Sequence, residues 1–86
     1  MPEISRFLGV VIAMYYNEHA PPHFHAKYGS HRAAFAIDDL QMIEGKLPHR
    51  VVSLVLEWAF LHREELKENW HRAKRREKLQ KIEPLV

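Results

Sequence analysis

The hydrophobic pattern of the chain changes period once, at Gly45-Lys46-Leu47-Pro48, and this change most constrains the fold. Before it, short blocks rich in Val, Ile, Phe and Tyr are typical of β-strands. After it, apolar residues recur at three- and four-residue steps, as on an amphipathic helix. Pro48 suits the first helical position because its missing N–H would have no partner there. The pattern therefore predicts an α+β fold with the sheet first and the helix last.

The same pattern sets the expected organisation. We expect one domain over 1–86, with a β-sheet half over 1–45, one long helix over 48–78 and a short extended arm over 79–86. The first half has room for about four or five antiparallel strands. The predicted helix carries one apolar stripe, formed by Val51, Val55, Trp58, Ala59, His62, Leu66, Trp70 and Ala73. A bend near His62 to Glu65 would divide it into two helices. A chain this small has a thin core, so a homodimer would be a natural supplement.

The strand register of one hairpin can be predicted from the sequence. His23 to Tyr28 alternates strictly, and Gly29-Ser30 has the form of a two-residue turn with Gly first. Directly opposed residues share a face of the sheet. One face then carries His23, His25, Lys27 and Arg32 over a floor of Ala34 and Ala36. The small alanines leave room beside the histidines for a ligand, a metal or a packed partner.

Composition excludes several classes of protein. The chain has no cysteine, so it has neither disulfides nor thiolate metal sites. Its longest apolar run, Val10 to Tyr16, falls far short of the ~20 residues that cross a bilayer. The start of the chain lacks the basic-then-apolar pattern of a signal peptide. We therefore expect a cytoplasmic protein with no membrane partner.

The net charge of +2 hides a basic segment near the C-terminus. Between His71 and Lys81 six Lys or Arg residues face one acid, which gives +5 and leaves −3 for the rest of the chain. Such an asymmetry predicts contact with RNA, DNA or an acidic partner protein. The candidate residues are Arg72, Lys74, Arg75, Arg76 and Lys78. The alternative is a solvated helix end whose cations complement the helix dipole.

Three histidines in seven residues, His19, His23 and His25, form a candidate metal site. Zinc takes imidazole nitrogens at ~2.0–2.1 Å and often keeps one position open for water. A carboxylate such as Glu18 or Asp38 could complete the set. We predict no obligatory cofactor, and zinc or another divalent metal is the candidate ion.

A metal-free alternative uses the same strand face. His23 and His25 could divide the general acid and base roles, with Lys27 or Arg32 stabilising charge on a transferring phosphoryl group. RNA supplies its own 2′-OH as a nucleophile, so a ribonuclease would need no metal. The simplest alternative is that the two histidines are only polar positions on an outer face, or that they hydrogen-bond the loop backbone beneath the Pro-Pro turn.

Several motifs together resemble a family of small bacterial proteins, the domain-of-unknown-function family 4160. They are Ile4-Ser5-Arg6-Phe7, Pro21-Pro22-His23-Phe24-His25 with Tyr28-Gly29, Leu56-Glu57-Trp58-Ala59, Asn69-Trp70 and Lys81-Ile82-Glu83-Pro84-Leu85. The resemblance covers essentially the whole chain and implies strands first and helix last. It also implies a gene beside that of another small protein, as in toxin–antitoxin pairs. No catalytic residues carry over with it.

Two functions are therefore expected. The first is a regulatory or toxin–antitoxin-like module that contacts nucleic acid or a partner protein. The alternative is a small histidine-dependent hydrolase or ribonuclease, with or without a metal, centred on His23 and His25.

Overall fold

The structure is a computed structural model that describes residues 2–86. Five strands form one antiparallel sheet in chain order: β1 (Glu3–Phe7), β2 (Val10–Ala13), β3 (His23–Tyr28), β4 (His31–Ala36) and β5 (Met42–Lys46). Two helices follow, α1 (His49–Leu61) and α2 (Arg63–Lys74). The predicted α+β architecture is confirmed. Met1, which the predicted sheet half and domain include, lies outside the described residues. No helix within 2–86 is long and apolar enough to span a membrane.

The registered hairpin has the predicted pairing throughout. Tyr28 lies opposite His31, and His23 lies opposite Ala36 at the far end of β3 and β4. Gly29 has φ +59°, a left-handed conformation that glycine adopts without steric cost. The register places the histidines and the apolar side chains on opposite faces of β3, as the alternation predicts.

The core lies between one face of the sheet and helix α1. The indole of Trp58 packs at 5.5 Å from the ring of Phe7 and 5.9 Å from the ring of Phe24. Phe24 stacks on Phe35 across the hairpin at 5.5 Å. Burial of these aromatic side chains contributes a large apolar area to the core, beside the aliphatic residues of the same cluster. The opposite face, called the outer face below, carries His25, Lys27 and Arg32.

The single long helix predicted over 48–78 is wrong, and the alternative of two helices with a bend near His62 is the arrangement observed. The chain bends at His62, whose φ of −121° is not helical, and α2 ends at Lys74. A straight helix over 48–78 would be about 46 Å long, whereas the protein measures 33 Å along its longest axis. Leu66 and Trp70 of α2 are buried in the same hydrophobic core as Trp58 of α1, so the two helices pack on one core across the bend.

Residues 75–78, predicted as helix, instead form the turn that ends α2. The Glu77 N–H donates to the Arg72 carbonyl at 2.8 Å and the Arg76 N–H donates to the Ala73 carbonyl at 3.1 Å. This pair of bonds is the Schellman motif, whose left-handed residue is usually glycine. Here Arg76 has φ +58°. The turn reverses the chain and sends the C-terminal segment back across the protein.

The C-terminal arm packs on its own chain as an extended segment. The Ile82 N–H donates to the Ile4 carbonyl at 2.8 Å, beside the outer edge of β1. The Ile82 side chain joins the core, and Trp58 Nε1 donates to the Glu83 carbonyl at 2.8 Å. The arm therefore covers the β1 edge and ties α1 to the sheet.

Candidate functional site

The loop between β2 and β3 brings a carboxylate onto the two strand histidines. Glu18 Oε1 accepts a hydrogen bond of 2.5 Å from His25 Nε2 and lies 3.4 Å from His23 Nε2. The ligand atoms of Glu18, His23 and His25 all lie within 4.8 Å of one another. Strand alternation places the two imidazoles on one side of β3 because positions i and i+2 point the same way. These three residues are called the His–Glu cluster below.

The ring of His23 is fixed in one orientation. His23 Nδ1 donates to the Pro21 carbonyl at 2.7 Å, because a carbonyl oxygen can only accept. The ring lies 5.3 Å from the indole of Trp70, and the residue is only 9% exposed. Nε2 is therefore the nitrogen that faces the cluster and can hold a metal or a second proton. Metal-ligating histidines are commonly held by this kind of bond from the other nitrogen.

Burial and the two histidines have opposite effects on the pKa of the Glu18 carboxyl. Desolvation raises the pKa of its carboxyl, whereas the hydrogen bond from His25 and the positive charges of His25 and His23 lower it. The balance leaves the pKa of Glu18 below its ordinary value. Glu18 is consequently a carboxylate at neutral pH, the form that accepts hydrogen bonds and binds cations.

Helix α2 and the turn after it hold the loop that carries Glu18. Lys74 Nζ donates to the main-chain carbonyl of Glu18 at 2.7 Å, and Arg76 Nη2 donates to Asn17 Oδ1 at 2.8 Å. The Lys74 ammonium also lies 5.0 Å from the centre of the Trp70 ring. Two members of the predicted nucleic-acid or partner-binding set are thus engaged in positioning the loop.

The other members of that basic set have different surroundings. Arg72 pairs with Glu68 at 3.0 Å, and Arg75 pairs with Glu77 at 2.8 Å. Lys78 is exposed and makes no hydrogen bond or ion pair with any residue in the described part of the chain. Glu68 therefore offsets part of the +5 charge counted from the sequence, in which Glu77 is already included.

A cleft of about 340 Å³ opens on the outer face beside the His–Glu cluster. Tyr15 and His25 bound one end, and their rings meet edge to face at 4.7 Å. Lys27 and Arg32 bound the other end. Glu44 of β5 also lines the cleft. Three of the predicted catalytic residues, His25, Lys27 and Arg32, therefore line one cleft. The fourth, His23, lies outside it, in the His–Glu cluster beside the second hollow.

The structure brings Glu18, rather than His19 of the predicted trio, together with His23 and His25. His19 lies on the wall of a second, smaller hollow beside Glu18 and His23, but its nitrogens are outside the cluster. Pro21 and Pro22 turn the chain between His19 and strand β3. Glu18, the residue before His19, therefore reaches His23 and His25 instead. Glu18 was one of two carboxylates considered, and Asp38 is not near enough to join.

Comparison with known proteins gives a family and no activity. A family model described as "Domain of unknown function (DUF4160)" matches residues 9–71. Neither a curated protein nor a solved structure matches the chain. The matched segment includes all of the His–Glu cluster, but Lys74, Arg76 and the C-terminal arm lie beyond it.

Proposed function

Since the chain belongs to the family described as "Domain of unknown function (DUF4160)", we propose a function from its site: metal-dependent hydrolysis of an anionic substrate. The His–Glu cluster would bind a divalent ion, zinc in the first place. The observation that carries this proposal is the convergence of two imidazole nitrogens and one carboxylate within 4.8 Å, with the His23 ring already oriented.

The ligand types and spacings support zinc. Two ligands at ~2.0–2.1 Å from a tetrahedral ion lie about 3.3 Å apart, and Glu18 Oε1 lies 3.4 Å from His23 Nε2. The Glu18–His25 distance of 2.5 Å is that of a hydrogen bond. It must widen by about 1 Å as the ion replaces the shared proton. Zinc binding should therefore release a proton.

The surroundings of the cluster support hydrolysis. Two imidazoles and one carboxylate form a known catalytic zinc set and leave a position for water, whose pKa the ion lowers. The cleft beside His25 holds the cations Lys27 and Arg32. Cations at this place would attract an anionic substrate and stabilise charge that develops during attack by water.

Zinc titration of the metal-free protein by calorimetry tests the binding step. We expect one ion per chain, and at least a hundredfold weaker binding in His23→Ala, His25→Ala and Glu18→Gln. His31→Ala is the matched control because His31 is an exposed histidine at the β3–β4 turn. Absence of binding, or unchanged affinity in His23→Ala, would overturn the proposal.

Hydrolysis of bis(p-nitrophenyl) phosphate, with and without chelator, tests the chemical step. We expect zinc-dependent turnover that His25→Ala removes. Cleavage of RNA that persists in chelator and needs His25 would replace this mechanism with the metal-free acid–base alternative.

The second candidate is the regulatory or toxin–antitoxin-like module. The exposure of Lys74, Arg75, Arg76 and Lys78 at one end of the protein favours it. Salt-dependent binding of RNA, DNA or the acidic product of an adjacent gene, lost in Arg75→Gln/Lys78→Gln but not in His25→Ala, would support it.

Sedimentation of the pure chain tests the predicted homodimer. The cytoplasmic location stays a prediction.

A further inference from the structure

Three cations lie side by side across the outer face of the sheet. Lys27 on β3 is directly opposite Arg32 on β4, and Arg32 is directly opposite Lys46 on β5. Opposed side chains have Cβ atoms about 4.5–5.5 Å apart, where like charges repel each other. Among residues 2–86, no carboxylate forms an ion pair with any of the three. These residues are called the cationic row below.

Lys27 and Arg32 line one end of the cleft, with Lys46 beside Arg32 on β5, and His25 of the His–Glu cluster lines the other end. Lys27 follows His25 by two positions on the same face of β3, which corresponds to about 6.6 Å along the strand. Val11 and Ala13 of β2, which pair with Lys27 and His25, form an apolar wall along the side of the cleft. A ligand a few bonds long could therefore contact both the row and His25.

We propose that the cationic row binds the phosphate group of a small, hydroxyl-bearing phosphorylated molecule. Three unneutralised cations beside a concave surface match a dianionic group, which relieves their mutual repulsion. The link from this phosphate to the reacting end of the molecule rests on the proposed function of the His–Glu cluster. The phosphate site itself does not depend on a metal.

The carboxylate of Glu44 is the reason for proposing a ligand that carries hydroxyl groups. Glu44 pairs with Ala34, which is itself opposite His25, so Glu44 is in the same cross-strand row as His25, and it lines the cleft. A carboxylate there repels a phosphate, so the phosphate must stay on the cationic row. The same carboxylate accepts hydrogen bonds from hydroxyl groups of the ligand at the level of His25.

The size and charge of the site favour a small molecule over a nucleic acid. A cleft of about 340 Å³ is at the small end of the range for ligand sites. A nucleic-acid strand needs a track of cations for successive phosphates. The other basic region of the chain engages the Glu18 loop through Lys74 and Arg76, and pairs with acids through Arg72 and Arg75.

Amide chemical shifts of the metal-free protein, titrated first with inorganic phosphate and then with ribose 5-phosphate, test the phosphate site. We expect shifts centred on Lys27, Arg32 and Lys46, and at least tenfold weaker binding of both ligands in Arg32→Gln. Arg50→Gln is the matched control because Arg50 is an exposed arginine on α1, away from the cleft. Glu44→Gln should weaken ribose 5-phosphate binding and leave inorganic phosphate binding intact or tighter.

The outcomes separate this proposal from the metal site. Equal loss of phosphate binding in Arg32→Gln and Arg50→Gln, or shifts elsewhere on the protein, would overturn the phosphate site and leave zinc binding untouched. Failure of zinc binding with phosphate binding intact would overturn only the proposed hydrolase. Tighter binding of a hexauridylate than of ribose 5-phosphate at the cationic row would replace the small molecule with RNA.

Discussion

Lys74 Nζ donates a 2.7 Å hydrogen bond to the main-chain carbonyl of Glu18, which precedes it by 56 positions. Helix α2 is thereby attached to the loop whose carboxylate reaches His23 and His25. The same helix places Trp70 against the ring of His23. The site is therefore built on β3 but oriented from the C-terminal third of the chain.

Removal of the Lys74 ammonium should weaken the metal site without unfolding the protein. Lys74→Met keeps an apolar stem beside Trp70 and removes the donor to the Glu18 carbonyl. We expect zinc affinity to fall about tenfold, the scale at which groups behind the ligands affect metal binding. Lys74 is exposed, so the melting temperature of the variant should differ little from that of the wild type. Zinc calorimetry and thermal melting measure the two effects.

Lys78→Met is the matched control because it removes an exposed lysine that no described residue pairs with. Equal zinc affinities in the Lys74 and Lys78 variants would show that the bond to the loop does not position Glu18.

Asn69 attaches the C-terminal arm from within the core. Its side-chain nitrogen donates to the Gln80 carbonyl at 2.9 Å, and its side-chain oxygen accepts from the Gln80 N–H at 2.9 Å. Asn69→Ala leaves both main-chain groups without these partners, so the free energy of unfolding should fall by about 2 kcal/mol. Urea unfolding measures the change. Gln80→Ala keeps both main-chain bonds and should stay within about 0.5 kcal/mol of the wild type.

Local pattern was sufficient to predict the sheet and its central hairpin. The alternation of His23 to Tyr28 and the Gly29-Ser30 turn define a register with no long-range information, and the observed pairing agrees. The bend near His62 could be given only as an alternative to one long helix, because the apolar stripe continues through it. Whether the chain bends there depends on how the two helices pack on the core, which the local pattern does not contain.

The candidate site was predictable only in part for the same reason. The two strand histidines follow from alternation, but the aim of a loop residue depends on what holds the loop. Arg76 contacts Asn17 from 59 positions away, and no local signal links them. The left-handed φ of Arg76, where glycine is usual, is also invisible to propensity. From the sequence, Glu18 is therefore only one of two carboxylates that could complete the histidine set.

Gly45 should be the glycine least tolerant of substitution. It has φ +84°, and a Cβ there would overlap the carbonyl oxygen of Arg32 on the neighbouring strand. Gly45→Ala therefore combines backbone strain with a main-chain clash, and we expect a loss of about 3 kcal/mol in the free energy of unfolding. Gly29 has φ +59°, but no heavy atom would lie within 4 Å of a Cβ added there. Backbone strain alone should therefore lower the free energy of unfolding of Gly29→Ala by about 1 kcal/mol. Equal losses in urea unfolding would contradict the predicted clash.

The cluster should make the metal-free protein sensitive to acid. The pKa of Glu18 is lowered in the fold from 4.5, so the folded state favours the carboxylate. This stabilisation is fully present above the unfolded pKa of the group and is lost as pH falls through the lower, folded value. The pKa values of Glu3 and Glu77 are also lowered, through hydrogen bonds from Arg6 and Arg75. Those two contributions persist when Glu18 is changed.

Glu18→Gln should therefore be less stable than the wild type at pH 7 and should approach it as the pH falls below 4.5. The comparison isolates Glu18 because both proteins keep the pairs of Glu3 and Glu77. Urea unfolding in chelator at a series of pH values measures the difference. Glu57→Gln, an exposed change on α1, supplies the control. Parallel pH profiles for Glu18→Gln and the wild type would mean that the histidines do not stabilise the carboxylate in the folded protein.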